Sequence, residues 1–105
     1  MPSNDVRLSS ASLKVLRLFV EEPRKARSGS EITKEAGISS GSLYPILDRL
    51  ETAGWFTSRW EEIDPSQAGR PRRRYYQITG LGQNKANEAL APYQVTNGAL
   101  GWGRA

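Results

Sequence analysis

Six positions between residues 32 and 46 constrain this chain more tightly than any other feature of it. Two short helices crossing at a fixed angle must bury apolar side chains at i, i+4, i+6, i+11 and i+14, with a glycine at i+5 to carry the turn. Counted from Ile32, the chain supplies Ile32, Ala36, Ile38, Leu43 and Ile46, with Gly37 in the turn. The flanking residues agree. Ser30 can cap a helix over 31–36, with Glu31 in its first turn favouring the helix dipole. Ser39 or Ser40 can cap the next helix, which reaches about residue 53 and stops at Gly54. Pro45 lies near its first turn and predicts a tight or slightly irregular start.

The segments on either side extend this core. Leu13, Leu16, Phe19 and Val20 recur at helical spacing over 10–22, with Ser9 or Ser10 as cap and Pro23 as the end. Residues 23–29 read as a basic linker. From Trp55 the period changes: 55–61 and 74–79 are rich in aromatic and β-forming residues, and 64–72 are turn formers. The result is a hairpin with a long basic tip, with Arg74 and Tyr76 on one face and Arg73 and Tyr75 on the other, so one tyrosine packs inward. Thr79 can cap a last helix carrying Leu81, Ala86, Leu90 and Tyr93, which Pro92 limits or kinks. Three glycines in the last eight residues read as a mobile tail. The expected fold is mainly α with a small β-hairpin, a winged helix-turn-helix in the order helix, helix, helix, strand, wing, strand, helix. Residues 1–8 form a loose N-terminal arm, 9–92 the domain, and 93–105 a C-terminal tail available for a dimer contact.

Composition narrows the function. With 37% hydrophobic and 25% charged residues, the 105-residue chain has the balance of one small globular domain. Its longest aliphatic-aromatic run is Leu18-Phe19-Val20, far short of the roughly 20 residues that span a bilayer. No apolar segment follows the N-terminus, so neither a membrane nor a secretory route is expected. There is no Cys and no His, which removes thiolate chemistry, the commonest general base and the commonest metal ligand. No enzyme, catalytic residue, cofactor or metal is expected. The one acidic cluster, Glu61, Glu62 and Asp64, sits at a strand end, where charge runs are normally solvated.

Charge points instead to a polyanion. Fifteen basic residues against eleven acidic ones give +4. Arg70, Arg72, Arg73 and Arg74 account for the whole excess. They fall at the hairpin tip with Gly69 and Pro71. Guanidinium groups stay charged and are weakly hydrated, which suits a narrow minor groove or a phosphate row. On the helix over 40–53, Leu43, Ile46, Leu47 and Leu50 form the buried stripe, and the opposite face centres on Gly41, Pro45, Asp48 and Thr52. That face is small at its N-terminal half, so the helix can sit deep in a major groove about 12 Å wide. Ser39, Ser40 and Ser42 either cap the helix or donate to phosphates and base edges. Tyr44 is a core aromatic with a wet tip or a phosphate donor, and Arg49 a guanine reader or half of a surface ion pair. Ser30 adds free N–H groups at a helix start, and Lys34, Arg24, Lys25 and Arg27 add charge there or simply face water.

The stretch Gly41-Ser42-Leu43-Tyr44-Pro45-Ile46-Leu47-Asp48-Arg49-Leu50-Glu51, followed by Gly54-Trp55, Trp60-Glu61, Gly69-Arg70-Pro71-Arg72-Arg73-Arg74-Tyr75-Tyr76 and Ile78-Thr79, resembles the PadR family of bacterial transcription regulators over residues 29–90. The resemblance implies a homodimeric winged helix-turn-helix repressor on a pseudo-palindromic double-stranded DNA operator. It implies that Ser40, Ser42 and Tyr44 touch DNA and that the wing enters the minor groove. It implies a bacterial, cytoplasmic, nucleoid-associated protein. Some members bind aromatic effectors, some through a Trp of the C-terminal helix, which makes an aromatic small molecule a candidate partner. Two departures stand out. The family's His-Gly-Tyr before the second helix is here Ser28-Gly29-Ser30, and Pro92 with the Gly-rich tail that holds Trp102 leaves little room for a long C-terminal helix. Two other readings are an architectural or replication accessory protein of a plasmid or phage, and a winged-helix protein-interaction module. The arginine cluster argues against the second.

Overall fold

The computed structural model describes residues 8–101, with side chains through Tyr93. The N-terminal arm through residue 7 and the segment 102–105, with Trp102, lie outside the described residues. The elements are α1 (Ser10–Glu21), β1 (Arg27–Ser28), α2 (Gly29–Ala36), α3 (Ser40–Thr52), β2 (Phe56–Trp60), α4 (Pro65–Ala68), β3 (Arg74–Ile78) and α5 (Gly80–Gly101). This is the winged helix-turn-helix that the spacing predicts.

The apolar positions of the helix pair meet as expected, except that Ala36 is only partly buried. Ile32, Ile38, Leu43, Ile46, Leu47 and Leu50 are buried with Val15, Leu16 and Phe19 of α1. Gly37 turns the chain between α2 and α3 at φ 69°, a left-handed conformation that a side chain would strain. On α1 the buried row is Ser12, Val15, Leu16 and Phe19, while Leu13 and Val20 are only partly buried, so the inner face is rotated from the one periodicity picks out. Across the sheet, Phe19 meets Phe56 at 4.7 Å between ring centroids, tilted by 57°, a favourable aromatic geometry. Tyr76 is the inward tyrosine of its pair.

Four local expectations are corrected. First, residues 23–29 are not just a linker: Arg27 and Ser28 form β1, which pairs antiparallel with β3 (Arg27 with Tyr76, Ser28 with Tyr75), giving a three-stranded sheet in the order β1-β3-β2. Second, Ser28 rather than Ser30 caps α2. Its hydroxyl accepts from the Glu31 N–H while the Glu31 carboxylate accepts from the Ser28 N–H at 2.8 Å, a reciprocal capping box. Third, the wing contains a turn of helix, α4, capped by Asp64, whose carboxylate takes the Ser66 N–H and hydroxyl. Fourth, α5 runs through Pro92 to Gly101. Pro92 lacks the N–H that a helix rung needs and lies on the exposed side, and the helix continues past it.

Strand β3 carries α5 into place. The Thr79 hydroxyl accepts from the Gly82 N–H at 2.9 Å and faces the carbonyls of Gly54 and Trp55, and Ala86 and Leu90 then bury α5 against α1.

Candidate nucleic-acid interface

Helix α3 presents two unlike faces. Leu43, Ile46, Leu47 and Leu50 point into the core. Ser40, Gly41, Ser42, Tyr44, Pro45, Asp48 and Arg49 are exposed. Ser39 is the N-cap: its oxygen accepts from the Ser42 N–H at 3.3 Å and its hydroxyl meets the Ser42 Oγ at 3.2 Å. Capping and solvent exposure therefore coexist at the serine cluster. Tyr44 is 48% exposed. Its phenol reaches back over α2, where a Cβ on Gly29 would land on the Tyr44 hydroxyl. That contact joins the exposed start of α2, where Ser30 lies, to the outer face of α3. Lys34 is exposed one turn further along α2. Arg27, by contrast, is neither a surface cation nor solvated. It is 1% exposed, donates to Glu35 at 3.2 Å and Glu22 at 3.0 Å, and lies 5.2 Å from the Phe19 ring centroid.

The wing is held by two carboxylates. Glu61 receives both terminal nitrogens of Arg70, at 2.8 and 2.9 Å, and the Arg73 backbone N–H at 3.1 Å. These bonds hold its carboxyl at about 2, well below its ordinary 4.5. The Arg70 hydrogen bond is the largest cause, opposed by partial burial and reinforced by Arg73. The strand-end acid read as solvated is thus the clasp of the wing. Gly69 closes α4 just before Arg70.

The second carboxylate is Glu51, in the last turn of α3. Arg74 donates to it at 3.2 Å and to the Ser58 Oγ at 2.9 Å, and the Ser58 hydroxyl donates to Glu51 at 2.6 Å. The Arg74 guanidinium also faces Trp60 and Tyr76, at 5.5 and 5.7 Å from their ring centroids. Burial pushes the Tyr76 phenol above its usual range; Arg74 opposes this, and Glu51, Tyr44 and Asp48 add to it. The base of the wing and the outer face of α3 therefore share one electrostatic neighbourhood.

Arg72 and Arg73 are exposed. Arg72 spends its Nε on the Ile63 carbonyl at 3.0 Å. Sequence reasoning singled out the four wing arginines but not Glu51, Ser58 or Glu61, which determine what those arginines face. No group of acidic residues suited to holding a metal ion occurs among the described residues, and none of the described helices is long and apolar enough to cross a membrane.

The model of the transcriptional regulator PadR-like family matches residues 19–88. No curated protein matches the sequence. Among solved structures, the chain is similar to a PadR family transcriptional regulator from Eggerthella lenta, with 25% identity and a TM-score of 0.62, covering 88% of this chain and 82% of that one. A transcriptional regulator homologue from Pyrococcus horikoshii shares 21% identity with a TM-score of 0.66, covering 88% and 84%. A Lactococcus lactis ZitR variant shares the fold at 18% identity and a TM-score of 0.68, and the chain spans 61% of its length. A family match over two thirds of the sequence and a shared winged-helix architecture lead to one assignment: the chain belongs to the PadR-like family of transcriptional regulators.

Proposed function

We propose that this protein is a sequence-specific DNA-binding repressor that acts as a homodimer on a pseudo-palindromic operator. Helix α3 enters the major groove, and the wing over 69–74 lies in the minor groove or along phosphates. The observation that carries this reading is the exposed face of α3. It is small and nearly uncharged at Ser40, Gly41, Ser42 and Pro45, flanked by Tyr44 and Arg49, and tied through Arg74 to a basic wing. A small face admits close approach to base edges, and the serine hydroxyls supply donors and acceptors at the helix start. Ser30 and Lys34 extend the phosphate contact along α2, with Ser39 and the turn at Gly69 shaping its two ends. In a two-fold dimer the paired α3 helices lie about 34 Å apart, one turn of DNA. Such a protein works where the chromosome is, in the bacterial cytoplasm.

Anisotropy titration against a duplex from the protein's own promoter region, beside a random duplex, tests the reading. Tighter binding to the promoter duplex at physiological salt is expected. Equal binding of the two overturns sequence specificity.

A further inference from the structure

We propose that the four wing arginines divide into two classes: Arg72 and Arg73 contact the DNA backbone, whereas Arg70 and Arg74 are positioning residues. The division rests on the DNA-binding reading above and refines it. Each positioning arginine is matched by a carboxylate. Arg70 is engaged by Glu61 through a two-pronged contact at 2.8 and 2.9 Å, and also donates to the Pro71 carbonyl at 3.3 Å. Glu61 is itself built into the neck of the wing, since its backbone N–H bonds the Arg73 carbonyl at 2.8 Å and its side chain takes the Arg73 N–H. Arg74 bonds Glu51 and Ser58 and lies over the rings of Trp60 and Tyr76. For either arginine, reaching a phosphate means exchanging one anion for another and leaving a bare carboxylate beside the DNA. The net gain in attraction is smaller than for a cation with no carboxylate bonded to it.

Arg72 and Arg73 differ in kind. Both are exposed. The hydrogen bond from Arg72 Nε to Ile63 steadies its stem, and its two terminal nitrogens make no hydrogen bond among the described residues. The Arg73 side chain has no hydrogen bond or ion pair among the described residues, although its cation contributes to holding Glu61 ionised. Glu62 and Asp64 line the same hollow as Arg72, yet neither forms an ion pair with it among the described residues. Two of the four wing cations thus have no carboxylate hydrogen-bonded to them among the described residues, and these are the ones best able to displace counterions from DNA.

Counterion release separates the classes, because each phosphate contact adds about 0.9 to the slope of log affinity against log salt. The probe is a short random-sequence duplex, titrated over a series of KCl concentrations, with thermal melts confirming that each variant is folded. Arg72→Ala and Arg73→Ala are each expected to lower the slope by about 0.9 per chain. The charge-neutral doubles Arg70→Gln with Glu61→Gln, and Arg74→Gln with Glu51→Gln, are expected to leave it unchanged. If a double fails to fold, Arg70→Lys and Arg74→Lys serve instead. Lysine keeps the charge but not the planar fork, so affinity should fall at constant slope, whereas Arg73→Lys, which gives up no side-chain hydrogen bond, should bind like the parent. A slope loss of about 0.9 for each neutral double, or undiminished affinity in the Lys variants at 70 and 74, overturns the division. Absence of any salt-dependent binding by the parent protein overturns the DNA-binding reading itself, a result distinct from the others.

Discussion

Arg27 carries a cation into the interior with its guanidinium over the Phe19 ring, while both of its carboxylate partners stay near the surface. Its Nη1 makes no hydrogen bond among the described residues. A buried charge of this kind costs desolvation that its ion pairs only partly offset, so its removal and the removal of its partners should have opposite consequences. Arg27→Met, similar in volume and uncharged, is expected to leave stability within about 1 kcal/mol of the parent, or to raise it. Glu22→Gln combined with Glu35→Gln strands the cation and should cost about 2–3 kcal/mol, less than the roughly 3–5 kcal/mol of a fully buried pair because both carboxylates are partly in water. Urea denaturation of the two variants decides between this account and one in which the ion pairs are the main source of stability; in the latter, Arg27→Met would be the more damaging change.

Among the elements, α2 and the wing depend on single hydrogen-bonding residues. Ser28→Ala removes one arm of the capping box and should destabilise the protein by about 1 kcal/mol, while Ser30→Ala, inside the helix, should cost far less. Chemical denaturation of the pair checks the assignment of the cap. The wing clasp responds to acid. The Glu61 carboxyl titrates at about 2 in the folded chain against an ordinary 4.5, so its contribution is complete above 4.5 and is lost as the pH falls towards 2. An NMR titration of the Glu61 side-chain carbon should show a midpoint near 2; a midpoint at 4.5 would contradict the clasp. These elements also show what a sequence discloses. Burial repeats with the period of the helix or strand, so Leu43, Ile46, Leu47 and Leu50 were legible, and so was one inward tyrosine at 75–76, though not that it is Tyr76. Ion pairs have no period. Glu51 and Arg74 lie 23 residues apart, and nothing in the chain links the singled-out arginine to a glutamate on α3. The Ser28 cap was legible in principle, since serine followed three residues later by glutamate is the capping-box spacing, but the neighbouring Ser30 offered an equally plausible hydroxyl. A two-residue strand such as β1 is too short to carry an alternation at all.

At the scale of the molecule, the dimer is the open quantity and the easiest to measure. Helix α5 packs on α1 through Ala86 and Leu90 and runs on to Gly101. Sedimentation at micromolar concentration should give twice the chain mass of 11.7 kDa; the single-chain value would contradict the proposed two-fold repressor. The hydrogen-bond topology also divides the chain by its tolerance of added length. Between Glu22 and Glu31 nearly every step is tied down, by the Arg27 ion pair, by the β1 pairing with β3 and by the capping box, so one extra residue there would break a ladder or a cap. The exposed turn at Ser66 to Gly69 lies outside the sheet and is closed mainly by its own bonds. An epitope or fluorophore is best spliced into this turn, and lineages diverging from this protein have the most room to vary wing length at the same point while leaving the helix pair as it is.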